Sequence, residues 1–140
     1  YLRSMDQLTL RDTLFADMYA AYDGLPDEVK ARVDGRTARH DFVRFRKGME
    51  KSGATDDEIA EANARYPNPH HPVVRTHPET GRKGIYVNAA FTQEIDDMDP
   101  AESRELLELL YRQAAFPEYQ VRLRWAPNTI AARDSQPKFN

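Results

Sequence analysis

The stretch His71–Asn88, HPVVRTHPETGRKGIYVN, limits the possible folds more than any other part of the chain. Val73 and Val74 are β-branched, as are Ile85 and Val87, and Tyr86 also favours strands. Between the two runs lies Pro78-Glu79-Thr80-Gly81. Proline presets φ for a turn, and glycine accepts the positive φ at its exit. The segment therefore predicts a β-hairpin, Val73–Thr76 against Lys83–Val87, with Gly84 marking a bulge.

The histidines of this stretch raise the question of a metal. His71 and His77 stand six residues apart, but no carboxylate lies close enough in sequence to complete a ligand set. Hydrogen-bonded histidines flanking a turn are the simpler reading. His40 and Asp41 are adjacent, and neighbours on a strand face opposite ways, so they are poorly placed to share one ion.

Helical spacing dominates elsewhere. Leu14, Met18 and Tyr22 recur every four residues, shadowed by Phe15 and Tyr19, and predict one helix ended by Gly24 and Pro26. DEVKARVDG predicts a second short helix, with acids in its first turn and Gly35 as its stop. RHDFVRF predicts a short strand from Phe42 and Val43 onward. Thr55 with Glu58 is a capping-box pattern opening a solvated helix, and the three prolines of YPNPHHP cannot continue it. DPAESRELLELLYRQAA is the clearest helix: Asp99 can cap it, Pro100 suits its first turn, and Glu102 completes a box. Leu106, Leu107, Leu110 and Ala114 form its buried face. QVRLRW alternates as a strand, with Val121, Leu123 and Trp125 on one side and Arg122 and Arg124 on the other. Those arginines could bind an anion or simply face solvent. NTIAA reads as a further strand.

Composition narrows the function classes. Charged residues make up 31% and apolar residues 40% of the 140, and the net charge is −3. That mixed, weak charge gives no argument for nucleic acid or an anionic membrane. No apolar run approaches the roughly 20 residues of a membrane span. The start YLRSMDQLTLRD lacks the layout of a secretory leader and has no initiator Met, which points to a cytoplasmic, incomplete chain. Without Cys there is no disulfide, thiolate site or cysteine nucleophile. No G-x-S-x-G, phosphate-binding glycine loop or H-E-x-x-H is present.

From Asp12 to Ala131, the segments DTLFADMYAAYDGLP, HDF, HPVVRTHPETGRKGIYVNAAF, ES..LL..L and PEYQVRLRWAPNTIA resemble, in order and spacing, the TauD/TfdA family. These are the taurine-dioxygenase-like, iron(II)- and 2-oxoglutarate-dependent oxygenases. The resemblance implies an α+β fold: a partial double-stranded β-helix (jelly-roll) with flanking helices. It implies a single incomplete domain over residues 1–140, with atypical ends at 1–11 and 132–140. It also implies Fe(II) held by two His and one carboxylate, 2-oxoglutarate as cofactor, and hydroxylation of a small organic acid of the sulfonate, sulfate ester or aryloxyacid class.

The resemblance assigns residues one at a time. Thr13 falls where the family's threonine hydrogen-bonds a carboxylate of 2-oxoglutarate; a helix-initiating Thr is the competing reading. Phe91 falls where an aromatic lines the substrate pocket, against the alternative of a plain core Phe. Phe45 and Arg46 fall in a loop that shapes the pocket in relatives. His71 and His77 belong to the hairpin and are not iron ligands. The family's H-x-D lies well upstream of its Gly-Gly-Asp-Thr turn, of which Asp12 and Thr13 match here and the two glycines do not, and that pair is not present here. Asp134 matches an expected Asp, and Asn140 takes the place of the distal His. The expectation is an oxygenase relative with no catalytic and no metal residue of its own, inactive as given. The alternative is a non-catalytic binding or assembly module, with a homo-oligomer as one form.

Overall fold

The computed structural model describes residues 12–41, 43–65 and 67–131. Among the described residues, seven short strands and five α-helices follow one another in a mixed α+β arrangement. The strands are β1 (Thr13–Ala16), β2 (Thr37–His40), β3 (His70–Pro72), β4 (Val74–Thr76), β5 (Lys83–Ile85), β6 (Thr92–Ile95) and β7 (Gln120–Leu123). The helices are α1 (Met18–Asp23), α2 (Asp27–Val33), α3 (Val43–Lys51), α4 (Asp56–Arg65) and α5 (Pro100–Ala114). Three antiparallel sheets result: the ribbon β1-β7, the sheet β3-β2-β6, and the hairpin β4-β5.

The hairpin forms where the sequence places it. Val74 pairs with Ile85 and Thr76 with Lys83, and Tyr86 N–H adds a bond of 2.8 Å to Val73 C=O. Gly81 takes φ +68°, a region that costs glycine nothing. The proposed bulge does not occur. Gly84 pairs in register with Arg75, and its bare Cα serves another purpose. A Cβ there would lie 3.1 Å from the Tyr19 ring, so glycine lets α1 settle onto β5.

Three other expectations need correction. The stripe from Leu14 to Tyr22 is not one helix. Asp17 divides it: its carboxylate accepts from Tyr19 N–H at 3.0 Å and Ala20 N–H at 3.1 Å, which starts α1 there. Upstream, Thr13 to Ala16 pair with Leu123 to Gln120. Long-range pairing overrides the local four-residue spacing, so Thr13 lies in a strand and does not initiate the helix. The predicted strand around Phe42 is displaced: β2 ends at His40, and Val43 onward is helical. NTIAA is no strand. Asn128 adopts φ +63° in a turn closed by Thr129 N–H to Ala126 C=O at 3.1 Å.

The remaining helices match their signals. Thr55 and Glu58 exchange the bonds of a capping box, and no residue of α4 is buried. Asp99 caps α5 through Ala101 N–H at 2.9 Å. Glu102 does not complete a box but pairs with Arg32 at 2.9 Å, joining α5 to α2. Leu106, Leu107 and Leu110 are buried as expected, whereas Ala114 is only half-buried. They meet Ala21, Leu25, Val29, Val33, Ile85 and Ile95 in one core. Two buried polar residues of α5 carry specific bonds. Ser103 Oγ accepts from Ile95 N–H at 2.8 Å, and Gln113 Nε2 donates to Ala21 C=O at 3.1 Å. Burial of such groups is tolerable because each is satisfied.

Charge fixes the hairpin to its neighbours. Tyr22 O–H donates to both Asp34 oxygens, at 2.9 and 3.0 Å, and Lys83 Nζ donates to Asp34 at 2.6 Å. On the next residue back, the Arg82 guanidinium lies 4.9 Å over the Tyr19 ring and 3.3 Å from the Asp23 carboxylate. Burial pushes the Asp34 carboxyl up, but hydrogen bonds from Lys83 and Tyr22, with the charges of Lys83 and Lys30, outweigh it. Its pKa therefore lies below the ordinary 3.8.

Two outcomes follow from these contacts. A Cβ at Gly24 would overlap the Tyr119 hydroxyl. Gly24→Ala is expected to cost about 1–3 kcal/mol by overpacking, and less in a Tyr119→Phe background, as read by urea unfolding. Asp34 contributes stability above pH 3.8 that is lost as pH falls through its lowered folded value. Asp34→Asn should thus be less stable at neutral pH and show a shallower loss of stability on acidification. An acid limb as steep as in the parent chain would contradict the assignment.

Candidate functional site

Thr13 and Phe91, the two positions assigned from sequence, stand apart, Thr13 on β1 and Phe91 in the turn before β6. Thr13 opens β1 and is half-buried. Its Oγ1 accepts a hydrogen bond of 2.8 Å from Trp125 Nε1–H, just beyond the end of β7. An indole N–H can only donate, so it fixes the threonine oxygen as acceptor and leaves the hydroxyl proton to point elsewhere. A hydroxyl held this way suits donation to a carboxylate. Beside it, Arg122 is taken up by Asp12 at 3.2 Å, and Arg122 and Arg124 are both exposed.

Phe91 closes a turn that leads into β6, and 40% of it is exposed. It is therefore not a plain core residue. The turn is built on Asn88. Its Oδ1 accepts from Ala90 N–H at 3.0 Å and Phe91 N–H at 3.1 Å, and its backbone N–H donates to Thr92 Oγ1 at 3.0 Å. Asp41 N–H then donates to Phe91 C=O at 2.8 Å. Beneath the turn, Thr92 Oγ1 meets His40 Nε2 at 3.1 Å, with both side chains buried.

A cluster of rings continues from there. His40 stacks on Tyr86 with centroids 6.2 Å apart, and His71 stands edge-on to His40 at 4.9 Å. The Arg75 guanidinium lies 5.0 Å over Tyr86. Burial, then the proximity of His71, pushes the His40 pKa down from 6.5. Burial, then the charges of Arg75 and His70, does the same for His71. The sequence reading missed this grouping. His40 ends β2, His71 lies on β3 and Tyr86 follows β5, so the pairing of Ala38 with His71 and the bond from Tyr86 N–H to Val73 C=O bring them together. The sole local signal was the cluster of polar aromatics at strand ends.

The other singled-out residues have separate tasks. His77 Nδ1 accepts from Glu79 N–H and Thr80 N–H, each at 3.2 Å, and so ties the hairpin turn. That is the turn-flanking role read from sequence. His40 and Asp41 engage different partners: Asp41 accepts from Asn68 at 3.2 Å and lies 3.8 Å from Arg39. The side chains of Phe45 and Arg46, together with Asp134 and Asn140, lie outside the described residues. Among the described residues no three His, Cys, Asp or Glu side chains come together to hold a metal ion. The described residues thus do not themselves fit iron. No helix among them is long and apolar enough to cross a membrane.

Comparison with known proteins gives the geometry a lineage. The (S)-phenoxypropionate/alpha-ketoglutarate-dioxygenase of Sphingobium herbicidovorans is 35% identical over 126 residues, covering 89% of this chain and 44% of that protein. A crystal structure of AAD-2 in complex with Mn(II) and N-oxalylglycine superposes with TM-score 0.67 at 33% identity, over 82% of this chain and 44% of the other. A taurine dioxygenase structure from Burkholderia xenovorans gives TM-score 0.62 at 34% identity, over 82% and 34%. The chain spans less than half the length of the curated relatives it matches. The family profile described as "Taurine catabolism dioxygenase TauD, TfdA family" matches residues 12–134, and the chain belongs to that family.

Proposed function

We propose that this chain forms part of the core of an Fe(II)- and 2-oxoglutarate-dependent dioxygenase that hydroxylates a small organic acid. The aryloxyacid and sulfonate classes are favoured, because a phenoxypropionate dioxygenase and a taurine dioxygenase are among its relatives. The fold reading that goes with this is a partial double-stranded β-helix, of which the ribbon and the two other sheets are pieces.

The observation that carries the reading to particular atoms is the Trp125–Thr13 hydrogen bond. With its oxygen engaged by the indole, the Thr13 hydroxyl donates to a carboxylate of 2-oxoglutarate. Charge-assisted bonds of this kind are shorter and stronger than neutral ones. Phe91 offers an exposed ring on a backbone held from both sides, a rigid apolar wall for an aryl or alkyl group. In that family iron and 2-oxoglutarate supply the oxidising chemistry. The described residues contribute binding and shape, not ligands for the metal.

A second reading has its own support. Leu14 and Val121 of the ribbon are 52% and 64% exposed, and Ile130 beyond it is 93% exposed. A two-stranded ribbon with apolar residues in water invites further strands. On this reading the chain is an assembly module that acts without catalysis.

Titration calorimetry with 2-oxoglutarate, followed in parallel by the emission of Trp125, the sole tryptophan, tests the first reading. Thr13→Val should weaken binding about tenfold, the equivalent of one hydrogen bond of about 1.4 kcal/mol, and Thr13→Ser should restore it. Equal affinity for the parent chain and Thr13→Val would remove Thr13 from the site. Sedimentation velocity tests the second: self-association that Val121→Lys abolishes is expected, and a monomer at all concentrations would end it.

A further inference from the structure

Phe91 presents a contradiction. Its ring is 40% exposed, yet hydrogen bonds account for its backbone on both sides. The turn fixes the backbone from which the ring projects. One buried oxygen belongs to that turn. Thr92 Oγ1 accepts from Asn88 N–H at 3.0 Å, which orients the residue that caps the turn. The same oxygen lies 3.1 Å from His40 Nε2, in a hydrogen bond whose donor follows the imidazole tautomer. Thr92 and His40 are only 5% and 7% exposed, so water does not compete for this bond.

We infer that His40 is a positioning residue: acting through the Thr92 hydroxyl and Asn88, it sets where the Phe91 ring stands. The inference deepens the proposed function and rests on it for its meaning, because Phe91 is the apolar wall of the acid pocket in that reading. The chemistry asks three things of His40. It must present a hydrogen-bonding atom at the Nε2 position. It must be buried. It must be held in orientation, which the stack on Tyr86 and the edge contact with His71 achieve. Glutamine can place an amide group, donor and acceptor together, near the Nε2 position, whereas leucine fills the space with no hydrogen-bonding group.

The test uses the full chain with 4-fluorophenylalanine at position 91, read by fluorine NMR, and a second sample labelled at Phe116 as a distant control. His40→Leu should shift or broaden the Phe91 signal and leave the Phe116 signal in place. His40→Gln should keep the Phe91 signal at the parent position. Thr92→Val should reproduce the His40→Leu change, and Thr92→Ser should reverse it. An unmoved Phe91 signal in both His40→Leu and Thr92→Val would overturn the inference. Equal change in His40→Leu and His40→Gln, or movement of both labels together, would also overturn it, since either marks a merely structural histidine. Loss of the fold in both His40→Leu and Thr92→Val would do the same. Phenoxyacetate added to the parent chain separates the two layers: a Phe91 signal that ignores it sinks the pocket assignment, while the His40 effect stands or falls on the variants alone.

Discussion

The close approach of β5 to α1 holds this structure together. Gly84 presents a bare Cα to the Tyr19 ring, and the two elements come near enough for Ile85 to reach the core. From the other side, Gln113 of α5 donates to the carbonyl of Ala21. The short helix α1 is thereby clamped between the hairpin and the long helix. Six residues cannot sustain a helix unaided, since nucleation costs more than one turn repays. The clamp, with the Asp17 cap, supplies what local propensity cannot.

The parts legible in the sequence were those whose signals are local. The Pro-x-x-Gly turn, the capping box of Thr55 and Glu58, and the leucines of α5 each depend on neighbours a few residues away. Their predictions held within a residue or two. Leu14 and Phe15 failed because their partners lie more than a hundred residues downstream in β7. Four-residue spacing over Leu14, Met18 and Tyr22 was a coincidence that strand pairing overrode. Ser103 and Gln113 were invisible for a related reason. Nothing in a polar side chain announces that a distant backbone group needs it.

The same division runs through the candidate site. Thr13 and Phe91 were named by resemblance, and each has a specific neighbour in the structure. Trp125 fixes the polarity of the Thr13 hydroxyl, and Asn88 fixes the backbone of Phe91. Neither partner could be read from spacing. The ring cluster of His40, His71 and Tyr86 is a product of the sheet order β3-β2-β6 and of the hairpin beside it. Adjacency of His40 and Asp41 in sequence turned out to separate their tasks. The His40 ring faces the turn that carries Phe91, and the Asp41 carboxylate closes onto Asn68 and Arg39.

The hairpin is tied down at two depths, and the two respond to different solvents. At its tip, Arg82 and Lys83 reach Asp23 and Asp34 through exposed ion pairs, within reach of a screening length of about 8 Å at physiological ionic strength. At its base, Gly84 and Ile85 are buried against α1 and the core, where dissolved ions do not act. Concentrated salt therefore weakens the ties at the loop end more than those at the root, which makes the hairpin a tongue anchored most firmly at one end.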